Sequence, residues 1–152
     1  MIPTEAPGLP PGVVLDTNVV LDWLIFENAN VALLSAAVMS GHVRWLVCQR
    51  MREELLRALS YPSLARWNPD SERTLTFFDR WAVVQTTPPR TTHGPLVCSD
   101  PDDQVFMDLS LATGALWLLT HDKALLKLRR AAKLQGVSVL QPALWTGPTS
   151  RP

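Results

Sequence analysis

The chain has 152 residues, 47% of them hydrophobic, with 14 acidic and 14 basic side chains. This is enough to bury one continuous core without disulfides or a structural metal, and the zero net charge excludes a general electrostatic pull toward nucleic acid, membrane or acidic substrates. Only Cys48 and Cys98 supply thiols, at a spacing that suits neither a zinc site nor a redox pair, so both read as buried.

Pro3, Pro7, Pro10 and Pro11 deny regular structure to residues 1–11, which also lack the basic start and apolar block of a signal peptide. No run approaches the roughly 18 apolar residues of a membrane span. The expectation is a soluble cytoplasmic protein with no membrane partner, folded over residues 12–146, with loose ends at 1–11 and 147–152. Short apolar runs at 13–15, 43–47, 82–84, 115–119 and 137–140 have the length and the branched or aromatic content of buried strands. Longer segments at 31–39, 51–59, 71–81, 103–113 and 124–135 read as helices, separated by the breaks "SGH", "YPSLARWNP" and "QGV". Strands that are apolar throughout and alternate with helices indicate a parallel sheet covered on both faces, hence a three-layer α/β/α domain of about five strands. The run "TTPPRTTHGPLVCS" has no periodicity and reads as a long loop.

Ligands of such sheets sit beyond the carboxyl ends of the strands. Asp16 follows the first strand in "VVLDTN", and Asp122 follows "ALWLLT" in the same way. Asp100, Asp102 and Asp103, in "SDPDDQVFMDL", lie where the long loop enters a helix. Each has a plain explanation. Asp100 reads as an N-cap with Pro101 at the first helical position and Asp103 as a capping-box acid; Asp122 complements a helix start behind a Thr120 cap; Asp16 with Asn18 turns a strand into a helix. Capping does not explain why acids from three distant segments meet at one edge of one sheet. Crowded carboxylates raise one another's pKa and destabilise the fold unless a cation offsets them. On the helix "RMREELLRALS", Met51, Leu55, Ala58 and Leu59 form an apolar stripe; Glu54 falls on its border, and Glu53 falls opposite, where it is placed to pair with Arg57. Asp22 and Asp108 read as ordinary helix-surface charges. His121 reads as a surface turn residue, and most of the six tryptophans, Trp117 and Trp81 among them, read as core.

The order of strand, "LDTN", helix with "EEL", "SDPDDQVF", "LLTHDKALL" and "GVSVLQPALW" resembles the PIN-domain nucleases, especially the bacterial PIN-family toxins of toxin–antitoxin pairs, over residues 13–145. By matching position the resemblance implies an acidic pocket of Asp16, Glu54, Asp103 and Asp122. Asn18 matches the polar residue of the opening motif and Thr120 the hydroxyl before the last Asp. His121 departs from the Gly of many relatives. Asp103 is taken as the third acid and Asp100 as a capping or supporting residue.

A site of carboxylates with Asn18, Thr120 and water offers hard oxygen ligands, which suit Mg²⁺ or Mn²⁺. The expected function is hydrolysis of single-stranded RNA. In that reading Asp16, Asp103 and Asp122 hold the cation, and Glu54 positions or deprotonates the attacking water. Basic groups at the border, namely Arg50 and Arg52 on one side and Lys123, Lys127 and Arg130 on the other, meet the phosphate backbone. The resemblance further implies a protein antitoxin and a homodimer. The competing reading is a non-catalytic PIN-like module that binds RNA or protein; an aspartyl-nucleophile phosphatase is disfavoured, since Asn18 stands where its second Asp would be.

Overall fold

The computed structural model describes residues 8–148. The parts of the two expected loose ends that fall on residues 1–7 and 149–152 lie outside the described residues. The carbonyls of Pro10 and Pro11 accept from the Arg44 side chain and amide respectively, both at 2.8 Å.

Five short strands, rich in β-branched and aromatic residues, form the sheet: β1 (Gly12–Leu15), β2 (Arg44–Cys48), β3 (Ala82–Gln85), β4 (Trp117–Leu119) and β5 (Ser138–Leu140). All neighbours pair in parallel, in the order β3-β2-β1-β4-β5, with Val13 opposite Trp45 on one side and Trp117 on the other. Parallel neighbours need crossovers, and these are helical: α1 (Thr17–Leu24) and α2 (Ala32–Met39) between β1 and β2, α3 (Gln49–Ala58) and α4 (Ser71–Trp81) between β2 and β3. The chain then returns past β1 through α5 (Gln104–Thr113), and α6 (Lys123–Leu126) with α7 (Arg129–Leu134) link β4 to β5. Because right-handed crossovers in opposite directions leave the sheet on opposite faces, the result is the expected three-layer α/β/α arrangement.

The core sits on both faces of β1, β2 and β4. Trp45, fully buried, packs between Trp23 of α1 (ring centroids 4.9 Å apart) and Phe78 of α4 (5.0 Å, edge-on). Met107 and Leu109 of α5 fill the opposite face with no exposure. Trp117 is 7% exposed and packs edge-on against Trp145 at 5.4 Å, whereas Trp67 is 45% exposed and only partly fits the core expectation. Cys48 and Cys98 are buried free thiols, as expected.

Residues 17–24 form the helix into which Asp16 and Asn18 were expected to turn the first strand, and Asp16 is its N-cap. Two elements differ from the sequence expectation. The helix expected over 124–135 is two, because the turn tightens at Leu128, whose amide reaches back three residues to the Leu125 carbonyl (2.9 Å). β3 is not buried: it is the sheet's edge, with Val83 38% and Val84 63% exposed.

Candidate active site

The strand order reverses at β1, so the loops leaving β1 and β4 diverge and open a crevice at their carboxyl ends. Asp16 and the run 120–122 occupy that point. Asp16 is 4% exposed and caps α1: its Oδ1 accepts from the Val19 amide at 3.0 Å, and its Oδ2 accepts from the Thr120 hydroxyl. Burial pushes the Asp16 carboxyl above the usual carboxylate value, while the bonds from Thr120 and Val19 pull it down. Thr120, fully buried, accepts in turn from the Asp122 amide at 2.9 Å. The cap of α6 is Asp122 rather than Thr120, with Oδ1 accepting from the Ala124 amide at 2.7 Å.

The long loop delivers the remaining acids. Asp100 caps a single 3₁₀ turn, Pro101–Asp103, accepting from the Asp102 amide at 3.0 Å with Pro101 at the first position. Capping therefore accounts for the placement of Asp100. It does not account for Asp103: the expected capping-box bond is not formed, and its Oδ2 is buried with no hydrogen-bond donor facing it. Its pKa is pushed up to about 8, first by burial, then by the Asp122 carboxyl within hydrogen-bonding reach, and then by the charges of Asp122, Asp100 and Asp16.

Among the described residues, Asp100, Asp103 and Asp122 present carboxylate oxygens within 4.8 Å of one another. Asp16 stands behind this trio, tied to it through Thr120, and Asp100 faces the cluster directly. The donor set is entirely hard oxygen, and a buried acceptor with no donor is what a divalent cation would satisfy, so the residues fit one.

Glu54 is placed differently from the trio. It lies, half-buried, at the border of the Met51, Leu55 and Ala58 stripe, as expected, in a cleft of about 280 Å³ with Arg50, Tyr61, Asp102 and Phe106. Its Oε1 accepts from Arg57 at 2.6 Å and its Oε2 from the Tyr61 hydroxyl at 3.3 Å. The pairing expected between Glu53 and Arg57 is thus taken by Glu54, one turn away, while Glu53 is exposed. Asp102 faces this second cleft, which also carries Arg50 and Arg57, so the three loop acids divide between the acidic cluster and a cleft of mixed charge.

Asn18 is exposed on the first turn of α1, and Arg50, Lys123, Lys127 and Arg130 are exposed. Arg52 is not free for a phosphate: both arms of its guanidinium engage Asp79 of α4 at 2.8 Å. His121 is a surface turn residue that also contacts Asp22, Nε2 to Oδ2 at 2.7 Å, so Asp22 is not a plain surface charge.

Asp108 is not a surface charge either, being 5% exposed. It accepts from the Thr91 amide at 3.0 Å and from Gln104 Nε2 at 3.1 Å. Gln104, 2% exposed, also accepts from the Cys98 amide at 2.6 Å and donates to the Leu96 carbonyl at 3.0 Å. This pair clasps the patternless loop to α5 and so sets where Asp100 and Asp103 lie. The spacing of Gln104 and Asp108, four residues apart among the apolar Val105, Phe106, Met107 and Leu109, was the available signal.

A family model described as PIN domain matches residues 12–124, a span that includes Asp16, Glu54, Asp103 and Asp122 and stops short of β5. No curated protein matches the chain. PIN domains are generally metal-dependent nucleases, and they typically bind a divalent metal. Among the described residues no single helix is long and apolar enough to cross a membrane. The chain belongs to the PIN-domain family.

Proposed function

We propose that the chain is a Mg²⁺- or Mn²⁺-dependent endoribonuclease that hydrolyses single-stranded RNA, acting as the toxin of a type II toxin–antitoxin pair. The observation that carries the catalytic part is Asp103, a carboxyl with a buried, donorless oxygen facing two other acids at the switch point of the sheet. Asp103 and Asp122 would hold the cation, with Asp100 completing the oxygen face and Asp16 anchoring the group from behind through Thr120. A cation bound there supplies Lewis acidity toward water and phosphate. Asp16, held by two donors, cannot drift from the cluster. Glu54 takes a proton from the attacking water once substrate displaces Arg57 from it, and Arg57, set free, meets the phosphate charge. Arg50 and Lys123 border the acids and offset their repulsion of the RNA backbone.

An antitoxin segment covering the crevice and a homodimer complete the reading. A groove of about 440 Å³ that shares no residue with the acidic crevice, lined by Trp23, Trp67 and Phe77 together with Glu27, Asp70 and Arg73, offers a mixed apolar and charged surface to a protein partner. A non-catalytic module has one observation in its favour, the engagement of Glu54 by Arg57 and Tyr61. Labelled single-stranded RNA separates the two: the nuclease cuts it with Mg²⁺ or Mn²⁺, stops with chelator, and loses at least 100-fold in rate on Asp103→Asn. Binding without cutting favours the module, and cutting that survives both chelator and substitution excludes the mechanism.

A further inference from the structure

Charge is divided along this chain. Residues 1–122 hold all 14 acids against eight bases, and residues 123–152 hold six bases and no acid. Three of those bases, Arg129, Arg130 and Lys133, line with Val139 a depression of about 400 Å³ between α7 and β5. Arg129 donates to the Leu126 carbonyl at 3.1 Å, and Lys133 Nζ donates to the Ser138 hydroxyl at 3.2 Å. These local bonds hold two of the cationic heads near the rim. Among the described residues none of the three has a carboxylate partner. A basic helix face is often merely solvated. Here the three cations surround one concavity instead of spreading along a face, and their mutual repulsion is relieved by an anion seated between them.

The depression has a defined relation to the acidic cluster. α6 starts at Asp122, on the carboxyl edge of the sheet, and because β5 is parallel to β4 the chain must descend to the other edge through α7. Arg129 and Lys133 follow Asp122 through two short helices that break at Leu128, and at about 1.5 Å per helical residue the path is no more than roughly 10 and 16 Å. This is about three to five phosphates at roughly 3.4 Å per stacked nucleotide.

We propose that Arg129, Arg130 and Lys133 form a second phosphate site, which grips the RNA strand several nucleotides from the position cut at the acidic cluster. The proposal rests on the reading of the chain as a ribonuclease. Its consequence is a length threshold, since oligonucleotides too short to span both sites forgo the second grip.

The test is binding of a labelled dinucleotide and a labelled 16-mer of single-stranded RNA to the full chain carrying Asp16→Asn, which prevents cutting, across a range of salt. Against this background Arg129→Gln/Arg130→Gln/Lys133→Gln weakens the 16-mer tenfold or more and lowers the slope of log affinity against log salt by about 2, at roughly 0.7 per phosphate. The dinucleotide, with its single internucleotide phosphate, is little changed. Arg129→Lys/Arg130→Lys, which keeps the charge, keeps the slope, and Mn²⁺ affinity and thermal midpoint report that each variant is folded. Equal loss for both lengths, or none for either, overturns the proposal. So does displacement of inorganic phosphate from the depression with 16-mer affinity untouched by the triple substitution. A chain with native Asp16 that binds the 16-mer through this patch yet cuts nothing with Mg²⁺ or Mn²⁺ keeps the site and overturns the nuclease reading instead.

Discussion

The Thr120 hydroxyl donates to Asp16 while its oxygen accepts from the Asp122 amide at 2.9 Å, so one fully buried side chain couples the acid behind β1 to the acid that opens α6. Thr120→Val keeps the shape and removes both bonds. Asp16 is then left with only the Val19 amide, in a site that already disfavours its charge. The expected cost is about 1–3 kcal/mol in urea unfolding, with weakened metal binding, and Thr120→Ser should recover most of both. Equal stability of the valine variant and the native chain would show that the coupling contributes nothing.

Asp103→Asn should separate stability from binding. In the metal-free protein, crowding by Asp122, Asp100 and burial make the Asp103 charge unfavourable. Because Asp103 is partly exposed and solvent screens its neighbours, its removal is expected to stabilise the chain by only roughly 1 kcal/mol above pH 7, or a few degrees in thermal midpoint. The same change abolishes most of the stabilisation that divalent cation gives the native protein. A destabilised variant in the presence of chelator would mean that Asp103 serves the fold.

The metal-free protein should lose stability as pH rises. Folded Asp103 keeps its proton to about pH 8, and its ordinary value is 3.8, so between those values unfolding releases a proton. Stability therefore declines from about pH 4 and levels off above about pH 8, and Asp16, also raised by burial, adds in the same direction. Asp79, lowered by its bond from Arg52, acts only in acid, where its contribution is lost as pH falls. Denaturant midpoints with chelator should decrease over this range, and saturating Mg²⁺ or Mn²⁺ should flatten the decrease. A rise in the metal-free midpoint across neutral pH would contradict the electrostatic account.

The clasp formed by Gln104 and Asp108 predicts an effect at a distance. Asp108→Ala removes the acceptor for the Thr91 amide and for Gln104, at an expected cost of about 2–4 kcal/mol. Hydrogen exchange should quicken at the Thr91 and Cys98 amides, and metal affinity should fall because Asp100 is no longer held in place. Unchanged exchange at those amides would remove the clasp from the account.

Where one physical signal dominates, the sequence and the structure agree. The five strands and the parallel sheet follow from apolar runs too short to be helices, and the positions of Asp16 and Asp122 beyond strand ends follow from the same runs. The start of the helix at 17–24 was legible because Asp16 and Asn18 follow an apolar strand, and Asn18 and Asp22, four residues apart, share its outer side while Val19, Val20 and Trp23 are buried. The exposure of β3 was hidden because "AVVQ" has the composition of a central strand, and its place at the edge depends on the order of the whole sheet. Asp108 looks like any helix charge until the loop carrying Thr91 folds over it, and Arg52 looks available until α4 brings Asp79. Such pairings join segments that chain spacing cannot relate. Asp100 was underrated for a different reason: its capping role is real and legible, and it coexists with a place in the cluster.

Calorimetric titration of the chelator-treated chain with Mn²⁺ tests the central claim most directly. One saturable site is expected, weakened roughly 10–100-fold or more by Asp103→Asn and by Asp122→Asn, and left unchanged by Asp79→Asn. No binding by the native chain, or equal affinity in all four proteins, would contradict a cation held by the acids at the β1–β4 crevice.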